Sequence, residues 1–199
     1  MGVKAVKNCS SESCWEWEVA MNEIKPKTWQ SGASLVLDSC YDILTSGNSY
    51  SMVDQESCLE FVIKELDDIV ESVFHGNQDY ELLEEQFFDI AIAAIMGLSY
   101  TAEMTNKKAI RIIFDTLIAK QKMYGQQNIA RFGLPGVVIR LNDKLERIKN
   151  LKQHKGPVLF EPIQDTWLDL TGYSVIAIMC IRDWFLLELK APKETTSQI

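Results

Sequence analysis

Carboxylates at helical spacing are the residues most able to do chemistry in the second half of this 199-residue chain. Asp143 and Glu146 stand three positions apart, and Asp165 and Asp169 stand four apart. Such spacings place side chains on one face of a helix. Two antiparallel helices can aim these acids at one point, where a hard cation, Mg²⁺ or Mn²⁺, would offset their repulsion. The pattern predicts a metal site on Asp143, Asp165 and Asp169, with Glu146 beside it.

Cations accompany these acids on the same predicted helix. Arg140, Lys144 and Arg147 follow one another at helical spacing, and Asn150 lies one turn further on. Arginine can hold phosphate oxygens with two hydrogen bonds, whereas lysine acts as a point charge. The pattern therefore predicts a phosphate-binding face beside the metal. Two alternatives stay open: a solvated helix face, or an attraction between two oppositely charged halves of the protein.

A second candidate metal cluster lies in the first half, on Glu65 and Asp68 of one predicted helix and Glu85 and Asp89 of the next. The stretch from 54 to 89 holds twelve acidic residues and one lysine. A shift of 76 positions superposes Asp89 on Asp165. An internal repeat would explain this match, and the site could then be duplicated, shared or moved to the first half.

The elements that must position these residues are all predicted to be helices. Apolar residues recur at helical spacing along most of the chain, and only five prolines and ten glycines interrupt it. A loop is predicted from 124 to 136. The expected fold is an all-α bundle of helical hairpins, with an N-terminal half at 1–104, a C-terminal half at 105–190 and a tail at 191–199. The predicted helices cover about 16–23, 33–44, 54–74, 80–100, 107–123, 137–151 and 163–189.

Composition narrows the expected partners. The net charge of −8 disfavours sequence-independent binding to nucleic acid. A disulfide framework or a structural zinc site is disfavoured, because the five cysteines are scattered without a CxxC pair and there are only two histidines. The apolar tracts at 90–98 and 175–181 are too short to span a bilayer. We expect a cytoplasmic protein with no nucleic-acid and no membrane partner.

Three ordered stretches resemble a known family: KMYG at 122–125, RLNDKLERIKNL at 140–151 and DTWLDLTGY at 165–173. They are similar to the MazG-like all-α NTP pyrophosphohydrolases, in particular to a largely phage-borne branch associated with nucleotide modification (MazZ-like). The resemblance implies Mg²⁺-dependent conversion of a nucleoside triphosphate, such as dGTP or dATP, to the monophosphate and pyrophosphate.

The resemblance also implies residue roles. Asp143, Asp165 and Asp169 would hold metal or activate water, and Lys144 and Arg147 would contact phosphates. Two further residues, Lys122 and Tyr124, would shape the nucleotide site. The sequence departs from the family's ExxE and ExxD pattern at Thr166, which stands where the second motif has a glutamate.

The first half resembles the same family more loosely. Glu65 and Asp68 fit the ExxE motif conservatively, whereas Gln86 stands where a glutamate is expected three residues before Asp89. This implies a fused pseudo-dimer, in which one more degenerate half completes the other; a homo-oligomer stays open. The missing glutamates favour an alternative function, a non-catalytic helical module that binds a nucleotide or a partner protein.

Overall fold

The computed structural model describes residues 25–46, 50–76, 78–153 and 163–190. Within these ranges every regular element is an α-helix, which confirms the predicted all-α class. The helix predicted at 16–23 lies outside the described residues. The six helices are α1 (Trp29–Thr45), α2 (Gln55–His75), α3 (Tyr80–Thr101), α4 (Asn106–Tyr124), α5 (Gln127–Gln153) and α6 (Ile163–Ile181).

Side-chain caps fix where four of the helices begin. The hydroxyl of Thr28 accepts a hydrogen bond from the backbone N–H of Ser31, so α1 begins four residues before the predicted start. Capping carboxylates or hydroxyls at Asp54, Asp79 and Thr105 start α2, α3 and α4 in the same way. These oxygens bind N–H groups that lack a partner in the first helical turn.

The predicted loop at 124–136 is wrong for most of its length. Helix α5 begins at Gln127, and only Gly133, with φ 57° and ψ −149°, interrupts it. Glycine tolerates that conformation because it has no Cβ. Pro135 follows at the start of the next helical piece, where its missing N–H costs no hydrogen bond. A single residue, Gly133, therefore interrupts the helix where the Gly-Leu-Pro-Gly sequence predicted a loop.

The predicted end of the last helix is also wrong. Helix α6 ends at Ile181 rather than near 189, and Asp183 takes a positive φ of 57°. The chain reverses there, because the backbone N–H groups of Trp184 and Phe185 both donate to the carbonyl of Met179. Phe185 is buried after this reversal, so the apolar residues beyond 181 join the core without continuing the helix.

Four helices form a closed ring of packed neighbours. Helix α3 lies against α6, α2 packs on α3, α5 packs on α6, and α2 contacts α5. Helices α1 and α4 pack on each other and on both α3 and α6. The two central helices are apolar on most of their surface and carry much of the core. No described helix by itself is long and apolar enough to cross a membrane, but α3 and α4 together meet that test across a 109° bend.

Candidate functional site

The carboxylate of Asp169 lies between two lysines from different helices. Its Oδ2 is 2.7 Å from Nζ of Lys144 on α5, and its Oδ1 accepts a hydrogen bond from Nζ of Lys120 on α4. The side chain of Asp169 is only 12% exposed. Burial raises the pKa of Asp169, but the hydrogen bonds and charges of the two lysines outweigh burial and hold it below its usual value. Asp169 is thus an anion that the protein itself neutralises.

The remaining acids predicted for the second half are not gathered around Asp169 in the same way. Asp143 and Glu146 are exposed on α5, and Glu146 forms an ion pair of 2.6 Å with Lys149. Successive residues on a helix are turned by about 100°. Because Lys144 faces Asp169, its neighbour Asp143 faces solvent. Asp165 lies one turn before Asp169 and is half-buried.

The residues predicted to bind substrate lie on α4 and α5. Two of them, Arg140 and Arg147, are half-buried, and Asn150 is exposed near the end of α5. Lys122 and Tyr124 are exposed at the end of α4, where Tyr124 keeps 73% of its surface. Lys144 therefore forms an ion pair with Asp169, one of the predicted acids, whereas Lys122 and Tyr124 lie at the surface.

The first-half cluster contains two buried carboxylates on neighbouring helices. Glu65 on α2 and Asp89 on α3 each have 8% of their surface exposed. Nζ of Lys64 donates to Oε1 of Glu65 at 2.8 Å and lies 3.9 Å from Oδ2 of Asp68. The hydrogen bond to Glu65 is the main cause that raises the pKa of Lys64, and the charges of Asp68 and Asp89 raise it further. Three predicted acids thus act on one lysine.

A tyrosine completes this cluster from the segment before α2. The hydroxyl of Tyr50 donates to Oδ1 of Asp89 at 3.4 Å. Burial is the main cause that raises the pKa of Tyr50, and the charges of Asp89 and Glu85 add to it. The structure therefore pairs Glu65 and Asp68 with Lys64 and joins Asp89 to Tyr50, whereas Glu85 is exposed on α3.

Sequence reasoning missed both Lys64 and Tyr50 as site residues. Lys64 carried a usable signal, because it is the one lysine between positions 54 and 89. Tyr50 carried no comparable signal, since it stands outside the helical repeat and reaches Asp89 only through the fold.

Two polar side-chain atoms near the predicted aspartates are buried without a hydrogen-bond partner. Oε1 of Gln86 on α3 and Oγ1 of Thr166 on α6 both lack a partner. Each stands three residues before an aspartate of the site, Asp89 or Asp169. Buried polar atoms are usually hydrogen-bonded, so these two atoms are exceptions within the described part of the fold.

Glu84, which precedes Glu85 in the sequence, forms an ion pair with a residue of the second half of the chain. Nε of Arg182, just beyond α6, donates to Oε1 of Glu84 on α3. The Arg182 guanidinium also lies 5.2 Å from the ring centre of Trp184. This ion pair joins α3 to the segment that follows α6 and gives Glu84 a cationic partner.

Whether these clusters could hold a hard cation depends on the ligand atoms that they offer and on how closely those atoms are grouped. Glu65, Asp68 and Asp89 carry carboxylate oxygens, which are the kind of ligand that Mg²⁺ prefers. Asp169 of the second half already has two lysine partners. Among the residues that the structure describes, no three or more His, Cys, Asp or Glu side chains are grouped closely enough to hold a metal ion.

Two surface grooves of about 280 Å³ each lie away from these clusters. The first lies between α1 and α4, and the second lies at the turn from α3 to α4. Neither is lined by an acid or cation of the predicted sites. The first groove is lined by Ser34, Leu37, Asp38, Tyr41, Lys107, Ile110, Arg111 and Phe114. The second is lined by Met96, Ser99, Tyr100, Met104, Thr105 and Asn106.

Comparisons of the chain with family models, with curated proteins and with solved structures found no match.

Proposed function

We propose that the protein is a Mg²⁺-dependent nucleoside triphosphate pyrophosphohydrolase whose working site is the first-half cluster. The observation that supports this most is the burial of Glu65 and Asp89 on two packed helices. Burying a carboxylate is costly unless its charge is compensated. Here Lys64 is the lysine shared by Glu65, Asp68 and Asp89, and its own side chain is 59% exposed. Compensation of these carboxylates by a divalent cation is supported by the likeness of Glu65 and Asp68 to the ExxE motif.

The carboxylates of Glu65 and Asp89 belong to the class of ligand that Mg²⁺ prefers. Mg²⁺ in proteins is usually held by one or two carboxylates, with substrate phosphates and water completing its shell. In this proposal Glu65 and Asp89 supply the carboxylates. When bound, such a cation would polarise the phosphoryl group and stabilise the negative charge that develops on pyrophosphate.

The hydroxyl of Tyr50 has a positioning role in this proposal. It donates to Oδ1 of Asp89, which fixes the orientation of that carboxylate. The phosphates would be bound by cations of α5, the helix that packs against α2. Arg147 and Arg140 are both half-buried on that helix, and their planar guanidinium groups suit phosphate oxygens. The proposed substrate is a deoxynucleoside triphosphate such as dGTP or dATP.

Helix packing supports the proposal of a fused pseudo-dimer that divides near residues 104 and 105. Helix α2 packs on α3 as α5 packs on α6. Helix α1 contacts α6 as α4 contacts α3, and α1 contacts α3 as α4 contacts α6. These contacts therefore form three corresponding pairs between the two halves. Such an arrangement is expected when two related hairpin units pack around an approximate two-fold axis.

An assay of each nucleoside triphosphate with Mg²⁺ tests the enzyme proposal. We expect release of pyrophosphate and the monophosphate from at least one deoxynucleotide. Glu65→Gln and Asp89→Asn should each lower kcat/KM on the order of 100-fold or more, as loss of a reacting-site group does. Glu60→Gln removes an exposed acid on the same helix and should leave activity unchanged.

The absence of monophosphate from every triphosphate would overturn the enzyme proposal. The circular dichroism of each variant should retain the helical signal, so that loss of activity is not loss of fold. Full activity in both Glu65→Gln and Asp89→Asn would instead remove the first-half cluster from the reaction.

The orphan atoms of Gln86 and Thr166 favour one rival function, a nucleotide-binding module without catalysis. In both halves a neutral side chain stands where the family has an acid. A non-catalytic module would be stabilised against heat by a bound nucleotide. Thermal stabilisation without product in the assay would therefore favour this rival.

A further inference from the structure

The direction of the helices brings the turn from α2 to α3 to the end of the bundle where α6 finishes. Glu84 near the start of α3 pairs with Arg182 just past the end of α6. Gly97 near the end of α3 meets Trp167 near the start of α6, so these two helices run antiparallel. The α2–α3 turn therefore lies beside the segment 182–190 that follows α6.

The junction of α4 with α5 lies at the same end of the bundle. The side-chain amide of Gln126, between these two helices, donates to the carbonyls of Phe185 and Leu187 in the segment after α6. Three connections of the chain thus meet at one end of the molecule. We call their surface the end face; it comprises residues 71–76, 78–82, 122–132 and 182–190.

Exposed apolar side chains are concentrated on the end face. Of ten large apolar side chains that are exposed in the described part of the chain, seven lie there. Val53 and Tyr100 lie at the opposite end, where the hydroxyl of Tyr100 donates to the carbonyl of Met52. Exposed apolar patches mark interaction surfaces, and aromatic residues and methionine are enriched in protein interfaces. The seven are Phe74, Tyr80, Leu82, Met123, Tyr124, Phe132 and Leu186.

Charge divides the end face into an acidic side and a basic side. The stretch 71–85, around the turn from α2 to α3, holds five acids and no lysine or arginine. The stretch 116–142, which includes the junction of α4 with α5, holds four cations and no acid. Glu84 and Lys120 of these stretches have partners within the chain, and the sign of each side does not depend on them.

A surface with opposite charges side by side is complementary to itself. A two-fold rotation places the acidic side of one copy on the basic side of another and makes the same contact twice, which closes a dimer. The charge that would attract a partner to either side is already present on the same chain. Charge complementarity therefore favours a second copy over a protein of a single charge, which one of the two sides would repel.

We propose that the end face is the interface of a two-fold homodimer. Exposed acids of one copy, Glu71 and Glu81, face the exposed cations Lys122 and Arg131 of the other. The apolar side chains of both sides are covered between them. Arg131 also lies over the ring of Phe132, with its guanidinium 5.5 Å from the ring centre, so that charge and apolar surface are presented together. The dimer does not depend on the proposed reaction.

Sedimentation velocity of the full chain over a concentration series tests this dimer. We expect the wild type to change from a single chain of 22.7 kDa to twice that mass as the concentration rises. Added salt should favour the single chain, because salt screens exposed charges beyond about 10 Å at 0.1 M.

Two charge-reversal variants separate the two sides of the end face. Lys122→Glu with Arg131→Glu gives the basic side a negative charge, and Glu71→Lys with Glu81→Lys gives the acidic side a positive charge. Each variant alone should raise the Kd of the dimer at least about 10-fold, because like charges then oppose each other. An equimolar mixture of the two variants should restore a dimer that contains one copy of each.

The matched control is Lys107→Glu with Lys108→Glu, which makes the same change of charge at the start of α4, away from the end face. This variant should form the dimer as the wild type does. The helical circular dichroism of each variant reports whether the fold is retained. If a double variant loses that signal, the single variants Arg131→Glu and Glu81→Lys replace the pair in the mixture.

Four results would overturn the proposed dimer. They are a wild type that remains a single chain throughout the series, assemblies that grow beyond two chains, two end-face variants that each associate as strongly as the wild type, and a mixture of those variants that does not associate. A loss of association in the control equal to that in the end-face variants would also remove the end face from the contact.

Discussion

The role that sequence spacing predicted for Asp169 differs from the role that its surroundings in the structure indicate. Its spacing from Asp165 predicted a metal ligand, whereas the fold gives it two lysine partners, Lys120 and Lys144. A charged pair that is largely shielded from water is strengthened by the low local dielectric, but removal of one partner leaves the other charge uncompensated. The consequences of altering Asp169 are therefore expected first in stability.

Asp169→Asn should lower the free energy of unfolding at neutral pH by about 2 kcal/mol, a value below that of fully buried pairs because both lysines are partly exposed. The pKa of Asp169 is lowered in the folded state. Its contribution is therefore present above the unfolded pKa and is lost as the pH falls through the folded value. Urea unfolding at pH 7 and pH 3 should show a smaller difference from the wild type at pH 3.

The matched control is Asp143→Asn, which removes an exposed acid from α5 and should change stability little at either pH. An equal loss of stability in Asp169→Asn at both pH values would contradict the assigned role of the two lysines.

The packing of α3 against α6 depends on one glycine. A Cβ added at Gly97 would lie 2.9 Å from three ring atoms of Trp167, a distance that real Cβ atoms do not tolerate. Trp167 is fully buried, so the ring has little space into which it can move. The close approach of the two central helices therefore requires a residue without a side chain on α3.

Gly97→Ala should lower the free energy of unfolding by about 1–3 kcal/mol, the usual cost of overpacking a core. Gly172→Ala on α6 is the matched control, because its Cβ would meet only the end of the Leu117 side chain at 3.3 Å. Alanine also favours a helix over glycine, so this control should be nearly neutral. Chemical denaturation of both variants measures the difference, and equal losses would refute the role given to Gly97.

Most helices could be predicted from the sequence within a few residues, and the errors have identifiable causes. Regular apolar spacing and capping residues define α2 and α3, and both agree with the prediction. At α5 a proline and two glycines suggested a loop, but Gly133 alone takes the unusual conformation. Beyond α6 the apolar residues suggested more helix, but the reversal at Asp183 brings Phe185 into the core. The first error reflects the conformation of one glycine, and the second reflects the packing of Phe185 into the core.

At the scale of the whole molecule, the segment 182–190 joins the last helix to distant parts of the chain. The side-chain amide of Gln126, between α4 and α5, donates to the carbonyls of Phe185 and Leu187, both at 2.8 Å. The backbone N–H of Trp29 at the start of α1 donates to the carbonyl of Glu188. Three regions of the bundle are thus connected through one non-helical segment.

Gln126→Ala should release this segment, because two carbonyls lose their donor. The expected cost is about 1–2 kcal/mol in the free energy of unfolding, from two hydrogen bonds in a partly buried setting. Thermal unfolding measures the loss, and hydrogen exchange should become faster within 182–190 than elsewhere. Gln127→Ala removes an exposed neighbour and serves as the control. Unchanged exchange in the segment would contradict the role of Gln126.

The sequence by itself determined the helical class and the presence of acids at helical spacing in both halves. Periodicity is a local property, so it can be read along one helix. The tertiary structure decided which acids are buried, and with which partners. Lys120 meets Asp169 from a position 49 residues away, and Tyr50 meets Asp89 from 39 away. Such pairs depend on how helices pack and on their relative register, which spacing within one helix does not fix.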